Sequence, residues 1–354
     1  MNAPKISVLI PMYNRRQYVE DCVNSVLNQT FKDFEIVIRD DCSTDGVFEF
    51  VKNRYANEIS IGKIKLFRNE KNLGESLNIR ELLRGATGKY LTILHNDDVY
   101  LPKTLERLFY TAEKYSADVV HTSNFFTTDT DGSIKNGVKL RKISRDTRNV
   151  NEITVMSEDL NSRFIEWLDG GTFQDLQFNL FRRQFIFDNE KFFFDILSDT
   201  FLFTLIWLMT AKTFVKIPDA LYIRRDSSHC QSNDTNSAVY KFENAIPLKL
   251  ELFANVDKFI NACDFLKNNL ELQYLVKTKI FTAHENLDEN ASLRRGNVAY
   301  VELYNSIENT FRKIFGSNAV YLALLFHWAH LMQFNKNGLN NLLKNCLKVI
   351  NQEI

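Results

Sequence analysis

Neither sign of charge is in excess in this sequence: 44 Lys and Arg stand against 44 Asp and Glu, a formal net charge of zero. Nucleic-acid binding needs a basic surface to engage phosphates, so no nucleic-acid partner is expected. Cysteine is sparse, and Cys22, Cys42, Cys230, Cys263 and Cys346 are widely spaced with no C-x-x-C pair. That pattern excludes a disulfide framework and a zinc site, and predicts reduced structural thiols. The chain does not open on a basic segment followed by an apolar core, because residues 6–10 are short and Pro11 follows at once; a cytoplasmic location is the expectation. The most apolar stretch, residues 319–334 (AVYLALLFHWAHLMQF), contains His327 and His330. It falls short of the roughly 20 residues a membrane span needs. It predicts a buried or interface helix, with peripheral contact at the inner face of a membrane as the alternative. No internal repeat emerges.

Present instead is an ordinary globular composition, 45% hydrophobic and 25% charged over 354 residues, enough for about two domains. Residues 5–14 (KISVLIPMYN) form a continuous apolar run bounded by Pro, the pattern of a strand buried on both faces. Val19, Cys22, Val23, Val26 and Leu27 follow at helical spacing. Strands are predicted at 34–41, 64–68, 90–94 and 118–122. Helices are predicted at 47–55, at 75–86 with Leu77, Leu82 and Leu83 inward, and at 102–115. Alternation of this kind predicts an α/β fold with a mostly parallel sheet.

Beyond residue 124 the alternation breaks. Residues 127–151 are polar and predict a hairpin or excursion, 172–187 read as strand, 199–212 as an apolar helix and 216–225 as a short strand. From 239 onward only helical periodicity remains, at 242–253, 256–266, 270–284, 298–315, 319–334 and 339–350. The change of pattern places a domain boundary near residue 238, with an α/β domain over 1–238 and a helical one over 239–354.

The most informative stretch is residues 90–102, where strand formers stop abruptly at His95, Asn96, Asp97 and Asp98. A strand ending in adjacent acids sets them at the carboxyl edge of the sheet, where open α/β sheets bind ligands. Two such carboxylates repel unless a cation or a donor-rich ligand compensates them, and a hard divalent ion is one candidate. The other reading is that they cap a helix starting near Pro102. Both stay open on these residues alone.

Taken together, residues 6–14, 25–31 (SVLNQTF), 34–46 (FEIVIRDDCSTDG) and 88–98 (GKYLTILHNDD) resemble the family 2 glycosyltransferases, over roughly residues 5–125 and more weakly to about 235. The resemblance implies a GT-A fold, Rossmann-like and followed here by an all-α region, a UDP-sugar donor and a Mn²⁺ or Mg²⁺ ion. It implies that Asp41 accepts the uracil N3–H while Asp40 holds its partner or the loop, and that Pro11, Tyr13 and Asn14 line the nucleotide pocket. Asp97 corresponds to the principal metal acid, with Asp98 following it and Asn96 beside it. The family's usual Asp-x-Asp has His95 in its first position here; imidazole can still ligate Mn²⁺ or donate to a ribose hydroxyl. Asn72 and Gly74 match the Asn-x-Gly element, whereas Asn78 and Arg80 are out of register and read as surface helix residues or donor contacts.

Inverting transfer needs a general base for the acceptor hydroxyl. The resemblance puts Asp199 there, although the Glu usually preceding that acid is Ser198, and an Asp at this place can equally cap a helix. Arg224 or Arg225 would neutralise phosphate and His229 would complete the metal shell. Gly170 and Gly171 allow a close backbone approach or a turn. The acceptor would be a glycan, a lipid-linked sugar or a protein, and the C-terminal helices would bind it or build a homodimer. A catalytically inactive nucleotide-sugar-binding or scaffold protein of the same descent is the alternative. A nucleotidyltransferase ranks below both, because residues 11–14 are not a Gly-rich basic phosphate loop.

Overall fold

The computed structural model describes residues 3–128, 133–134, 137–142, 152–168, 176–193, 200–225 and 255–283. The chain divides into two compact units, Met1–Thr235 and Asn236–Ile354.

The first unit is built on a ten-stranded sheet. Its strands are β1 (Ile6–Met12), β2 (Phe34–Asp40), β3 (Ile64–Arg68), β4 (Tyr90–Ile93), β5 (Val99–Tyr100), β6 (Val119–Thr128), β7 (Val138–Lys142), β8 (Thr154–Val155), β9 (Asn179–Arg182) and β10 (Phe214–Arg224). The helices are α1 (Val19–Leu27), α2 (Val47–Arg54), α3 (Ala56–Ser60), α4 (Glu75–Gly85), α5 (Thr104–Tyr115), α6 (Leu160–Leu168), α7 (Arg183–Asp188), α8 (Glu190–Phe193) and α9 (Thr200–Thr210). Strand order is β3-β2-β1-β4-β9-β6-β10-β5, with β7 on β6 and β8 on β10.

Strands β1 to β4 pair in parallel, as do β6 and β10. Between the two sets β9 runs antiparallel to both β4 and β6. The sheet is mixed: the expected parallel strands are present, the reversed β9 joins their two sets, and β5, β7 and β8 also pair antiparallel. β1 and β4 are buried along their whole length, which is why they read as unbroken apolar runs. Helix α1 buries Val19, Cys22, Val23 and Val26, the stripe its spacing predicts.

Several elements differ from the sequence expectation. In α4 the buried residues are Asn78, Ile79, Leu82 and Leu83, while Leu77 is exposed. Leu82 and Leu83 point inward as expected, and at the start of the helix Asn78 is buried where Leu77 is expected to be. Residues 172–187 are expected to be strand, but of the described ones, from 176 on, only Asn179–Arg182 is; a 3-10 turn precedes it and α7 follows, burying Phe185 and Ile186. The turn out of β9 is set by backbone bonds from Arg182 N–H to Asp118 O and from Arg183 N–H to Lys89 O. β10 begins two residues before the expected 216 and ends one before the expected 225, and Pro218, which cannot donate to a ladder, falls where the register shifts between Ile217 and Ala220. Residues 138–142 return on β6 as the second arm of the anticipated hairpin.

The parallel core is sealed at the amino ends of its strands by a buried polar network. Ser7 Oγ donates to Glu35 Oε1 at 2.6 Å, and Gly88 N–H donates to Ser7 Oγ at 2.8 Å. Lys65 Nζ lies 2.7 Å from Glu35 Oε2. A Cβ on Gly88 would sit 2.5 Å from the Ser7 backbone nitrogen and 2.7 Å from the Ile6 carbonyl carbon. Gly88→Ala is therefore expected to destabilise the domain by about 2–3 kcal/mol, read as a lower denaturant midpoint with unchanged slope.

In the second unit, residues 255–262, Asp264–Lys267 and Leu270–Ala283 are helical. They bury Val256, Phe259, Ile260, Leu266, Val276 and Ile280, with Lys277 Nζ paired to Asp257 Oδ1 at 2.8 Å. The expected helices at 242–253, 298–315, 319–334 and 339–350 lie outside the described residues, as do Gly170 and Gly171. No helix among the described residues is long and apolar enough to cross a membrane. Cys22, Cys42 and Cys263 are free thiols.

Candidate functional site

Because β1, β2, β3 and β4 run parallel, their carboxyl ends deliver the residues that follow them to one edge of the sheet. After β1 come Tyr13 and Asn14, after β2 Asp41, after β3 Asn69, and after β4 His95 to Asp98. Tyr13 is 40% exposed and presents its ring at this edge. Pro11 lies near the carboxyl end of β1, opposite Arg39.

Asp40 and Asp41 are adjacent and do different things. Asp40 is fully buried and accepts from the Ser43 hydroxyl and from Ser43 N–H, with Arg68 Nε 3.1 Å from its Oδ2. Burial raises its pKa, against the opposing pull of Ser43 and Arg68. Asp41 Oδ1 accepts from Asn69 Nδ2 at 2.8 Å and Leu73 N–H at 2.8 Å, and its Oδ2 from Gly74 N–H at 2.9 Å. Asp41 thus organises the whole 69–74 loop. Asn72 Oδ1 also accepts from Gly74 N–H, at 2.9 Å, closing an Asx turn. Asn78 is buried, contrary to the surface reading. It accepts from Asn69 Nδ2 at 3.0 Å and donates to Arg39 O at 3.1 Å, and so braces the same loop from α4.

Asp41→Asn keeps the shape but turns one acceptor oxygen into a donor facing backbone N–H groups. It is expected to lower stability by about 1–3 kcal/mol, which thermal unfolding reads.

Residues 95–98 form a β-turn, Asp98 N–H donating to His95 O at 3.1 Å, with the Cys22 thiol donating to the same carbonyl at 3.4 Å. Burial, then the Asp98 and Asp97 charges, push the Cys22 thiol well up, which leaves it a structural residue. Asn96 is buried and donates to Asn14 O at 2.8 Å, tying this turn to the one after β1. His95 Nε2 lies 3.3 Å from Glu75 Oε1 at the start of α4. Ligand atoms of His95, Asp97 and Asp98 all fall within 4.8 Å of one another. One imidazole and two carboxylates form a mixed nitrogen and oxygen donor set that fits a divalent cation such as Mn²⁺.

The helix-cap reading of Asp97 and Asp98 does not hold. Helix α5 starts at Thr104, and its first turn is capped by Gln29, whose Oε1 accepts from Leu105 N–H at 3.0 Å. The Asp98 carboxylate, 3% exposed, is instead held by β10: the Tyr222 hydroxyl donates to Oδ2 and Arg225 N–H donates to Oδ1 at 2.7 Å. Arg225 is buried too, and its guanidinium donates to Asp21 Oδ2 at 2.5 Å and covers the Tyr18 ring at 4.7 Å. These contacts bolt the end of β10 to α1. Arg224 pairs through its backbone with Thr127 in the β6–β10 ladder. His229 and Asp199 lie outside the described residues.

Burial, and after it the charge of Asp97, push Asp98 up to about 7. A carboxyl raised in this way favours the folded, cation-free protein on the acid side, an advantage lost as pH rises through about 7. A cation at the site must expel the proton first. Mn²⁺ affinity is therefore expected to rise about tenfold per pH unit toward pH 7 and to level off above it, as measured by titration with the free ion monitored.

Sequence reasoning did not reach Arg15, whose Nε lies 3.9 Å from Asp97 Oδ2, nor the Tyr222–Asp98 bond. For Arg15 the available signal was its position directly after Asn14 in the turn. For Tyr222 there was none, since its partner is 124 residues away.

The family model for glycosyl transferase family 2 matches residues 7–169. The putative glycosyltransferase EpsE of Bacillus subtilis is 33% identical over 114 residues, which are 32% of this chain and 40% of that protein. The putative teichuronic acid biosynthesis glycosyltransferase TuaG of the same organism is 36% identical over 104 residues, 29% of this chain and 40% of that one. The chain thus spans less than half the length of these curated relatives. Among solved structures, S. aureus TarS 1–349 in complex with UDP-GlcNAc superposes with a TM-score of 0.65 at 18% identity, covering 99% of this chain and 92% of that one. That likeness concerns the fold.

Proposed function

Since residues 7–169 belong to glycosyl transferase family 2, on a GT-A fold, we propose that this protein is a metal-dependent inverting glycosyltransferase. It moves a sugar from a nucleotide-sugar donor, a UDP-sugar, to a hydroxyl acceptor in bacterial glycan or glycoconjugate synthesis. One observation carries the reading: the turn after β4 gathers His95, Asp97 and Asp98 within 4.8 Å at the edge where Tyr13 and the Asp41 loop also lie.

In this reading His95, Asp97 and Asp98 hold Mn²⁺ or Mg²⁺, which when bound neutralises the diphosphate leaving group. Tyr13 offers its exposed ring to the base, and the 69–74 loop shaped by Asp41 closes the nucleotide pocket. Asp199 takes the proton from the acceptor hydroxyl as it attacks the anomeric carbon. His229 joins the metal shell and Arg224 faces phosphate. The α/β domain extends over 1–238 and the helical region over 239–354 serves the acceptor or a second copy. Relatives named for teichuronic acid and for poly(ribitol-phosphate) support a cell-surface glycan as the product class.

A screen of UDP-sugars for hydrolysis with Mn²⁺ tests the proposal. Release of UDP from at least one donor, abolished by chelation, is the expected result. Tight UDP binding with no turnover of any donor, with or without an added acceptor extract, would assign the protein to the inactive nucleotide-sugar-binding class instead.

A further inference from the structure

Arg15 has a left-handed backbone, φ 69°, directly after Asn14 at φ 55°. Asparagine tolerates that region, but arginine does so only at a cost, because its Cβ crowds the neighbouring carbonyl. Of four non-glycine residues with positive φ among the described ones, Asn14, Arg15 and Cys42 stand in the turns that follow β1 and β2; the fourth, Ser116, ends α5. Bonds on either side hold Arg15 in place. Asn14 N–H donates to Ser43 Oγ at 2.8 Å, Asn14 O accepts from Asn96 Nδ2 at 2.8 Å, and Arg16 N–H donates to Asp45 Oδ2 at 2.8 Å. Strain that persists under such bracing marks a residue placed for its side chain.

That side chain faces Asp97. Arg15 Nε lies 3.9 Å from Asp97 Oδ2, with the two side chains 22% and 20% exposed. The neighbouring acid is different in kind, since both Asp98 oxygens are bonded to β10. Asp97 is thus the partly open acid of the pair, and its charge is met by a cationic side chain.

We propose that Arg15 is the resident counter-ion of Asp97, competing with the divalent cation for that carboxylate and turning to the donor's diphosphate once the cation is in place. The inference rests on the glycosyltransferase reading and gives it a specific order. Arg15 compensates Asp97 until a cation binds, and donor and cation enter together, because the group that the cation displaces is the group that the diphosphate recruits. A guanidinium suits the second task through its fork of donors.

Mn²⁺ titrations of the full chain, followed by the paramagnetic resonance of the free ion, compare the wild type with Arg15→Gln and Arg15→Lys. A partly exposed ion pair is worth a factor of up to about five. Without nucleotide, Arg15→Gln is expected to bind Mn²⁺ about three- to fivefold more tightly and Arg15→Lys to match the wild type. At saturating Mn²⁺ the order reverses, UDP binding about tenfold more weakly to Arg15→Gln. A merely structural Arg15 would not move the two affinities in opposite directions. Equal or weaker Mn²⁺ binding by Arg15→Gln beside a normal wild type overturns the counter-ion role alone. Failure of all three folded proteins to bind Mn²⁺ overturns the metal reading with it.

Discussion

Asp97→Ala is expected to lower sugar transfer by about 10³-fold or more and to abolish Mn²⁺ binding, while shifting the melting temperature by less than about 3 °C. The first effect follows from losing the carboxylate that, with His95 and Asp98, would hold the cation against the leaving diphosphate; charge stabilisation of that kind contributes several kcal/mol to the transition state. The small second effect follows from the environment. Asp97 is partly exposed, and the ion pair it makes, with Arg15 at 3.9 Å, is of a class worth at most about 1 kcal/mol. Asp98→Ala makes the contrast. It removes the acceptor of the Tyr222 hydroxyl and of Arg225 N–H in a buried setting, so it is expected to cost about 2–4 kcal/mol of stability as well as activity. Parallel transfer assays and melting curves separate the two acids. Equal destabilisation by both would contradict the assignment of Asp97 to the open side of the site.

Asp199→Asn is expected to reduce kcat by about 10²- to 10⁴-fold with UDP and Mn²⁺ affinities unchanged. A general base acts only as the acceptor hydroxyl loses its proton, so its loss falls on the chemical step and not on donor binding. Asn keeps the helix-capping ability of Asp, and α9 begins at Thr200, immediately after this residue. A residue whose task was to cap would therefore tolerate the change with its rate intact. Single-turnover transfer with a saturating donor is the measurement, and a wild-type rate would move the base elsewhere.

What could be read from the chain alone was local. β1, β2 and β4 announced themselves as short, largely apolar runs ended by Asn14, Asp41 and His95, because a strand buried on both faces is built mostly from apolar residues. Their alternation with amphipathic helices implied parallel pairing, and parallel pairing implied that Tyr13, Asp41 and Asp97 share an edge. The helix-cap alternative for Asp97 and Asp98 could not be dismissed at that level, since both readings place acids between a strand and a helix. Packing dismissed it, by starting α5 at Thr104 and giving Asp98 to Tyr222 and Arg225.

The failures have a common cause. Asn78 looked like a surface residue because a polar side chain in a helical pattern normally faces water, yet it is buried between Arg39 O and Asn69. Arg225 looked like a phosphate ligand, and its side chain bonds Asp21 on α1, 204 residues away. Arg15 drew no notice until its backbone angle and its distance to Asp97 were known.

The sequence by itself determined β1 to β4, their parallel direction and the residue types at their ends, because these depend on periodicity and on chemistry carried by neighbouring positions. Only the tertiary structure decided that Asp98 is bolted while Asp97 stays partly open, and that Asp40 and Asp41 are both buried but on different partners. That difference is made by partners far away in the chain, whose donors reach one carboxylate and not the next.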